Sequence, residues 1–342
     1  MKLDDRKKTI LEAVVKDYVK TAEPIGSRAI VRKYNLGVSP ATVRNEMADL
    51  EEMGFLEQPH TSAGRIPSES GFRYYVDYLM IRDELTQEEE AFLKQMLTQK
   101  IEDISTVIQR TGNVLAQFTN YASVVITPPT SVNELRHLQL IPLANSQALL
   151  ILVTDIGNVI HRRIDIPESI RPEDLEALSQ LFNSHFQGTH SGDITRTLLR
   201  SLRRELLHRR QVIERALEAI EMVMEEGDSE KVFISGALNI VNQPEFKDFE
   251  KLRRILMVLE EHDLIKNLLS ETGLKEVRIK IGTENQAEEI KELSLVFTTY
   301  ETESKEKGRI GLIGPVRMEY WKASTSVERV RDIVQDVIRK MT

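Results

Sequence analysis

The spacing of apolar residues changes character along the chain, and each change predicts an element. Near the start, Ile10, Leu11, Val14, Val15, Tyr18 and Val19 recur at i, i+4 and i+8, the pattern of one buried helix face. Asp4 or Asp5 is placed to cap that helix, and Pro24 and Gly26 end the run. Ser27 is expected to cap a short second helix reaching Tyr34, followed by the turn Asn-Leu-Gly-Val-Ser, whose glycine suits a positive φ. Ser39 then caps a third helix with Pro40 in its first position, where a missing N–H costs nothing.

When the third helix is laid out at about 100° per residue, Val43, Met47 and Leu50 form its buried stripe, while Ala41, Asn45, Ala48 and Glu52 point away. Thr42, Arg44 and Asn45 occupy the first two turns, and Glu46, Asp49, Glu51 and Glu52 gather toward the end. After Gly54, two short strand-like pieces flank Ser62-Ala63-Gly64, as in a two-stranded wing with Arg65 at its tip. Pro67 and Ser68 lead into an apolar helix over residues 68–83. Helix, short helix, turn, capped helix and hairpin in this order predict a winged helix-turn-helix over residues 1–82. In that motif the N-terminal part of the second helix of the pair enters the major groove.

Beyond it, residues 86–120 read as one or two helices. Four short aliphatic stretches, at residues 123–129, 137–144, 147–155 and 158–167, read as an antiparallel meander. The period turns helical at residues 172–186 and 194–226. Strand signals resume at 231–236, 277–282, 293–300 and 308–316, with helices over 246–270 and 326–341. A sheet interrupted by helices predicts an α+β multidomain chain with an insertion.

Charge sharpens the N-terminal reading. The chain carries 46 Lys+Arg against 54 Asp+Glu, but residues 1–82 hold 13 against 12, which leaves 33 against 42 for the remainder. Residues 25–45 contain Arg28, Arg32, Lys33 and Arg44 and no acid, a local surface of the kind that phosphates require. The basic run at residues 203–210 is surrounded by acids, which favours a solvated or dimer-facing helix over a second nucleic-acid patch.

Other chemistries find little support. With no cysteine, disulfides, thiolate nucleophiles and Cys-based zinc sites are excluded. The seven histidines are scattered, and His185 with His190 lacks a third ligand at an informative spacing. Gly308, Gly311 and Gly314 match neither a dinucleotide fingerprint nor a phosphate loop and read as a hairpin. No enzyme signature, metal site or cofactor is expected. The first residues lack the apolar core of a signal peptide, and residues 138–154 carry Gln139, Pro142, Asn145, Ser146 and Gln147, so they read as two strands around a turn rather than a membrane helix. A cytoplasmic location without a membrane span is expected.

Residues 23–79, above all "SPATVRNEMADLE" and "PHTSAGRIPS", closely resemble the DNA-binding region of the HrcA family, the heat-inducible transcription repressors of bacteria. The resemblance implies a GAF-like antiparallel sheet domain, at residues 83–167 and 246–342, with an inserted helical dimerisation domain at 168–245. It also implies a homodimer on double-stranded DNA, at the CIRCE inverted repeat ahead of chaperone operons, kept active by the GroEL chaperonin. Ser27, Arg28 and Lys33 are expected at phosphates, Thr42, Arg44 and Asn45 at base edges, and Arg65 at backbone or minor groove. Two other readings stay open: a metabolite bound in the GAF-like body controls DNA binding, or the winged helix is a protein-interaction module.

Overall fold

The structure, a computed structural model, describes residues 3–98, 104–128, 135–144, 146–154, 159–168, 170–186, 230–270, 276–285, 287, 290–302 and 305–341. The backbone divides into one unit of residues 1–127 with 232–341 and a second of residues 128–231.

Helix α1 (Asp5–Thr21) starts at Asp4, whose side chain accepts from Lys7 N at 2.8 Å. That hydrogen bond holds the Asp4 carboxyl below its ordinary range. The helix stops at Ala22, in left-handed conformation with φ 56°, before Pro24 is reached. Helix α2 (Ser27–Tyr34) ends at Asn35, also left-handed, and Gly37 takes the expected positive φ of 66°. Helix α3 (Pro40–Glu52) is capped by Ser39, which accepts from Thr42 N at 3.1 Å. Val43, Met47 and Leu50 are buried against α1 and α2 as the stripe predicts, in a core with Ile10, Leu11, Val14 and Ile30.

Strands β1 (Leu56–Glu57) and β2 (Ile66–Pro67) pair antiparallel, and an isolated bridge joins Ile25 to Arg65. Gly64 permits this bridge, since a Cβ there would lie 2.3 Å from Ile25 O. Ser68 caps α4 (Glu69–Tyr74) by accepting from Gly71 N at 3.0 Å, and the chain then passes through a π-helical turn, Tyr75–Leu79. The helix expected over 68–83 therefore ends at Leu79. Phe72, Tyr74 and Tyr75 are all buried, more of the circumference than a single apolar stripe covers.

Helices α5 (Gln87–Thr98) and α6 (Ile104–Thr119) follow, then the strands β3 (Ala122–Ile126), β4 (Leu135–Leu143), β5 (Gln147–Thr154), β6 (Val159–Asp165), β7 (Val232–Ser235), β8 (Arg278–Ile281), β9 (Leu293–Glu301) and β10 (Lys307–Pro315). In the first unit an antiparallel sheet runs β7-β3-β10-β9-β8. Alternate side chains serve different cores. Val125, Val296, Tyr300, Ile310 and Leu312 pack with Val327, Val330 and Val334 of the C-terminal helix Tyr320–Met341. Val124, Ile126, Leu295, Phe297 and Ile313 pack with Ile255, Val258, Ile265 and Leu268 of helices Phe249–Glu260 and His262–Leu268. The 308–314 glycines lie in β10, which pairs antiparallel with β9 as the hairpin reading expects. A Cβ on Gly308 would lie 2.2 Å from the Tyr300 ring, and one on Gly311 would lie 2.7 Å from Phe297 Cβ.

This sheet corrects the four-stranded meander. β3 pairs with β10 and β7, and only β4-β5-β6 form a meander, a separate antiparallel sheet in the second unit. A strand buried on both faces reads as an unbroken apolar run, and nothing in that run names its neighbour. The second unit, residues 128–231, accordingly begins and ends earlier than the insertion expected at 168–245. Within it α7 (Pro172–Phe186) covers β4, with Asn183 and Ser179 bonding the backbone of Leu138 and Leu140. The helix expected at 194–226, with its basic run, lies outside the described residues.

The N-terminal helices and the sheet share one core. Phe72 meets Tyr320 edge-on at 6.0 Å between centroids, and Tyr75 meets Trp321 at the same separation. Around these rings Arg73 donates to Glu284 and to Ile279 O, and Thr283 donates to Glu69. Arg82 pairs with Glu328 at 2.8 Å, and Arg317 donates to Val19 O at 2.9 Å.

Candidate nucleic-acid interface

An open groove of about 860 Å³ lies between the start of α2, the first two-thirds of α3 and the turn joining β1 to β2. Gly26, Ser27 and Arg28 form one wall, Ala41, Arg44, Asn45 and Ala48 the floor, and Thr61 to Arg65 the other wall. The turn is held in shape by Gln58, whose Nε2 donates to Thr61 O at 3.1 Å and Ala63 O at 3.0 Å. Small residues at 41 and 48 keep the floor low, so that Arg44 and Asn45 are the side chains standing above it.

The charges are sorted around α3. Arg28, Arg32 and Arg44 are exposed and form no ion pair among the described residues, and Asn45 is exposed without a hydrogen-bond partner among them. The acids of α3 are largely engaged instead. Glu46 and Asp49 bind Lys7 of α1 at 2.6 and 2.9 Å, Arg6 reaches Glu46 at 3.4 Å, and Glu51 pairs with Arg65 at 2.7 Å. Hydrogen bonds donated to Glu46 and Asp49 raise the Lys7 ammonium above its ordinary value. The groove therefore offers unpaired cations and amide groups, while most carboxylates beside it are neutralised.

The expected site residues do not all meet there. Ser27, Arg28, Arg44, Asn45 and Arg65 line the groove; Thr42 and Lys33 do not. Thr42 sits at the cap, its hydroxyl 3.0 Å from that of Ser39. Ser27 is the first helical residue rather than the cap, a place taken by Gly26 without a side-chain hydrogen bond. The Lys33 ammonium is bonded to buried Asp17, which also accepts from the Tyr34 hydroxyl at 2.8 Å. Burial, and then that hydrogen bond, raise the Tyr34 hydroxyl, so it remains a donor. Arg65 stands where the turn re-enters the ladder, directly before β2 and bridged to Ile25, rather than at the tip. The tip holds Thr61 and Ser62, both exposed; the Ser62-Ala63-Gly64 turn signal marks their place, although neither is among the expected site residues.

Comparison with known proteins bears on what this groove serves. Residues 105–323 match the family model described as HrcA protein C terminal domain. The chain is 44% identical over 342 residues to the heat-inducible transcription repressor HrcA of Pelotomaculum thermopropionicum, covering 100% of this chain and 98% of that one. It is 44% identical over 329 residues to the repressor of the same name from Desulforamulus reducens, covering 96% and 95%. Among solved structures it is similar to a crystal structure of a hypothetical protein, with a TM-score of 0.68 at 21% identity and full coverage of both chains, a likeness of fold.

Proposed function

The chain belongs to the HrcA family of heat-inducible transcription repressors, and on that premise we propose that its N-terminal segment is a winged helix-turn-helix reading an inverted-repeat operator of the CIRCE type. One observation carries the reading: the groove beside α3 gathers exposed, unpaired Arg28, Arg44 and Asn45 over a floor of alanines. A major groove about 12 Å wide admits one α-helix, and Arg and Asn are the side chains suited to bidentate contacts with guanine and adenine. In this reading Arg44 and Asn45 read base edges, with Thr42 at the helix start. Ser27 and Arg28 hold phosphates at the N-terminus of α2, and Arg65 supports the wing where its turn meets β2. Lys33 adds charge at the rim while bound to Asp17.

Function then follows from symmetry. A homodimer presents two copies of α3, so an inverted repeat binds with the summed energy of two half-sites and a single half-site does not suffice. The dimer occupies the promoter against polymerase. The GAF-like sheet domain carries the N-terminal module, the second unit dimerises, and GroEL keeps the repressor in its folded, active form; heat-damaged clients compete for that help and lift repression. The protein is a non-enzymatic regulator acting in the cytoplasm, and no helix among its described residues is long and apolar enough to cross a membrane.

Fluorescence anisotropy against an inverted-repeat duplex and a scrambled duplex, across a salt series and with or without chaperonin, tests each part. Tight binding to the repeat, raised by chaperonin, is expected. Repeat binding indifferent to chaperonin would leave the operator and remove the regulation, and equal binding to both duplexes would remove the operator.

A further inference from the structure

Helix α3 carries four acids, Glu46, Asp49, Glu51 and Glu52, against one cation, Arg44. A helix with that balance is repelled by a phosphate backbone unless its carboxylates are neutralised. Glu51 has Arg65 at 2.7 Å on one flank. On the other flank, Lys7 of α1 lies 2.6 Å from Glu46 and 2.9 Å from Asp49, with its side chain only 12% exposed. Lys7 belongs to the first turn of α1, beside the capping Asp4, whose carboxylate is 3.7 Å from its ammonium.

We propose that Lys7 is a positioning residue for DNA reading: it draws Glu46 and Asp49 onto α1, neutralising that flank of α3 and fixing the roll that leaves Arg44 and Asn45 facing outward. The inference rests on the reading of α3 as the helix that enters the major groove. Lys7 acts through its two partners, and the ion pair differs in kind from the unpaired cations of the groove. Deleting a phosphate contact removes an attraction, whereas deleting Lys7 uncovers Asp49 and leaves Glu46 only its 3.4 Å contact with Arg6. Charge at that distance acts on every phosphate nearby, so all sequences are affected, and the lost roll of α3 adds a further loss on the operator.

A thermodynamic cycle on the full chain, read by anisotropy on inverted-repeat and scrambled duplexes at fixed salt, tests this. Lys7→Met is expected to weaken repeat binding roughly tenfold, since it leaves Asp49 without its ion pair and Glu46 with only the longer contact to exposed Arg6. Adding Glu46→Gln and Asp49→Asn to Lys7→Met is expected to recover most of that loss, and Lys7→Arg to remain within about twofold of the unaltered chain. A lysine that serves packing alone predicts no such recovery, because the neutral side chains restore no contact with α1. Should Lys7→Met fail to fold, Lys7→Gln in the Glu46→Gln, Asp49→Asn background takes its place and is expected to bind like that background. An unaltered affinity in folded Lys7→Met, or a loss that persists in the neutralised background, would overturn the proposal. Failure of the unaltered chain to prefer the repeat would instead overturn the reading of α3 itself, before any variant is compared.

Discussion

Two parts of the first unit treat their polar side chains in opposite ways. At the junction between the N-terminal helices and the sheet, Arg73, Arg82 and Arg317 are each bound to a carboxylate, a backbone carbonyl or both, around the edge-to-face rings of Phe72, Tyr75, Tyr320 and Trp321. In the groove beside α3, Arg28, Arg44 and Asn45 have no partner among the described residues and stand in solvent. The arginines of the junction are satisfied within the chain, although the buried Tyr75 hydroxyl beside them has no partner; the groove leaves the hydrogen-bonding capacity of Arg28, Arg44 and Asn45 for something outside the chain. The same residue type thus serves the fold in one place and, in the proposed function, recognition in the other, and what distinguishes them is the acid within reach.

The widest separation between the two is expected from Phe72→Ala, which empties a fully buried site. It should cost about 3–5 kcal/mol of stability in denaturant unfolding, while operator affinity per folded molecule is unchanged. Arg44→Ala is the mirror case. It should lose roughly 1–3 kcal/mol of operator binding and relax discrimination at one position of each half-site, with stability altered by no more than about 0.5 kcal/mol. Ser39→Ala tests the boundary between them, since it removes the cap of the reading helix. About 1 kcal/mol of stability is expected to go, and operator binding to weaken with it. Arg28→Ala should weaken all duplexes about equally and lower the slope of log affinity against log salt by about one. Lys33→Ala should lower that slope by less than Arg28→Ala, because Asp17 already holds the ammonium. An equal change would blur the distinction between paired and unpaired cations.

Much of the N-terminal region was legible in the sequence because its signals are local. Asp4 and Ser39 announce helix starts within three residues of the groups they bind, and the 43/47/50 stripe follows from helical period alone. The hairpin between residues 138 and 154 was legible for the same reason, as β4 and β5 are joined by a short turn. What was not legible depended on residues far along the chain. β3 reads as part of the following meander, yet its neighbours β7 and β10 lie more than a hundred residues away. Arg65 looks like a wing tip until Ile25, forty residues earlier, extends the ladder beside it. Lys33 looks like one of several solvated cations until Asp17 of α1 is found beneath it. In the site, residue types and helix faces could be read directly, whereas which cations remain free is a property of the packed structure.

Amide hydrogen exchange on the full chain, with and without an inverted-repeat duplex, tests the contrast most directly, because it reports the groove and the junction in one experiment. Added protection is expected in residues 26–28, 40–48 and 58–65, with residues 69–83 and 317–328 unchanged. Protection confined to the junction, with the groove exchanging as in the free protein, would contradict the assignment of the groove to DNA.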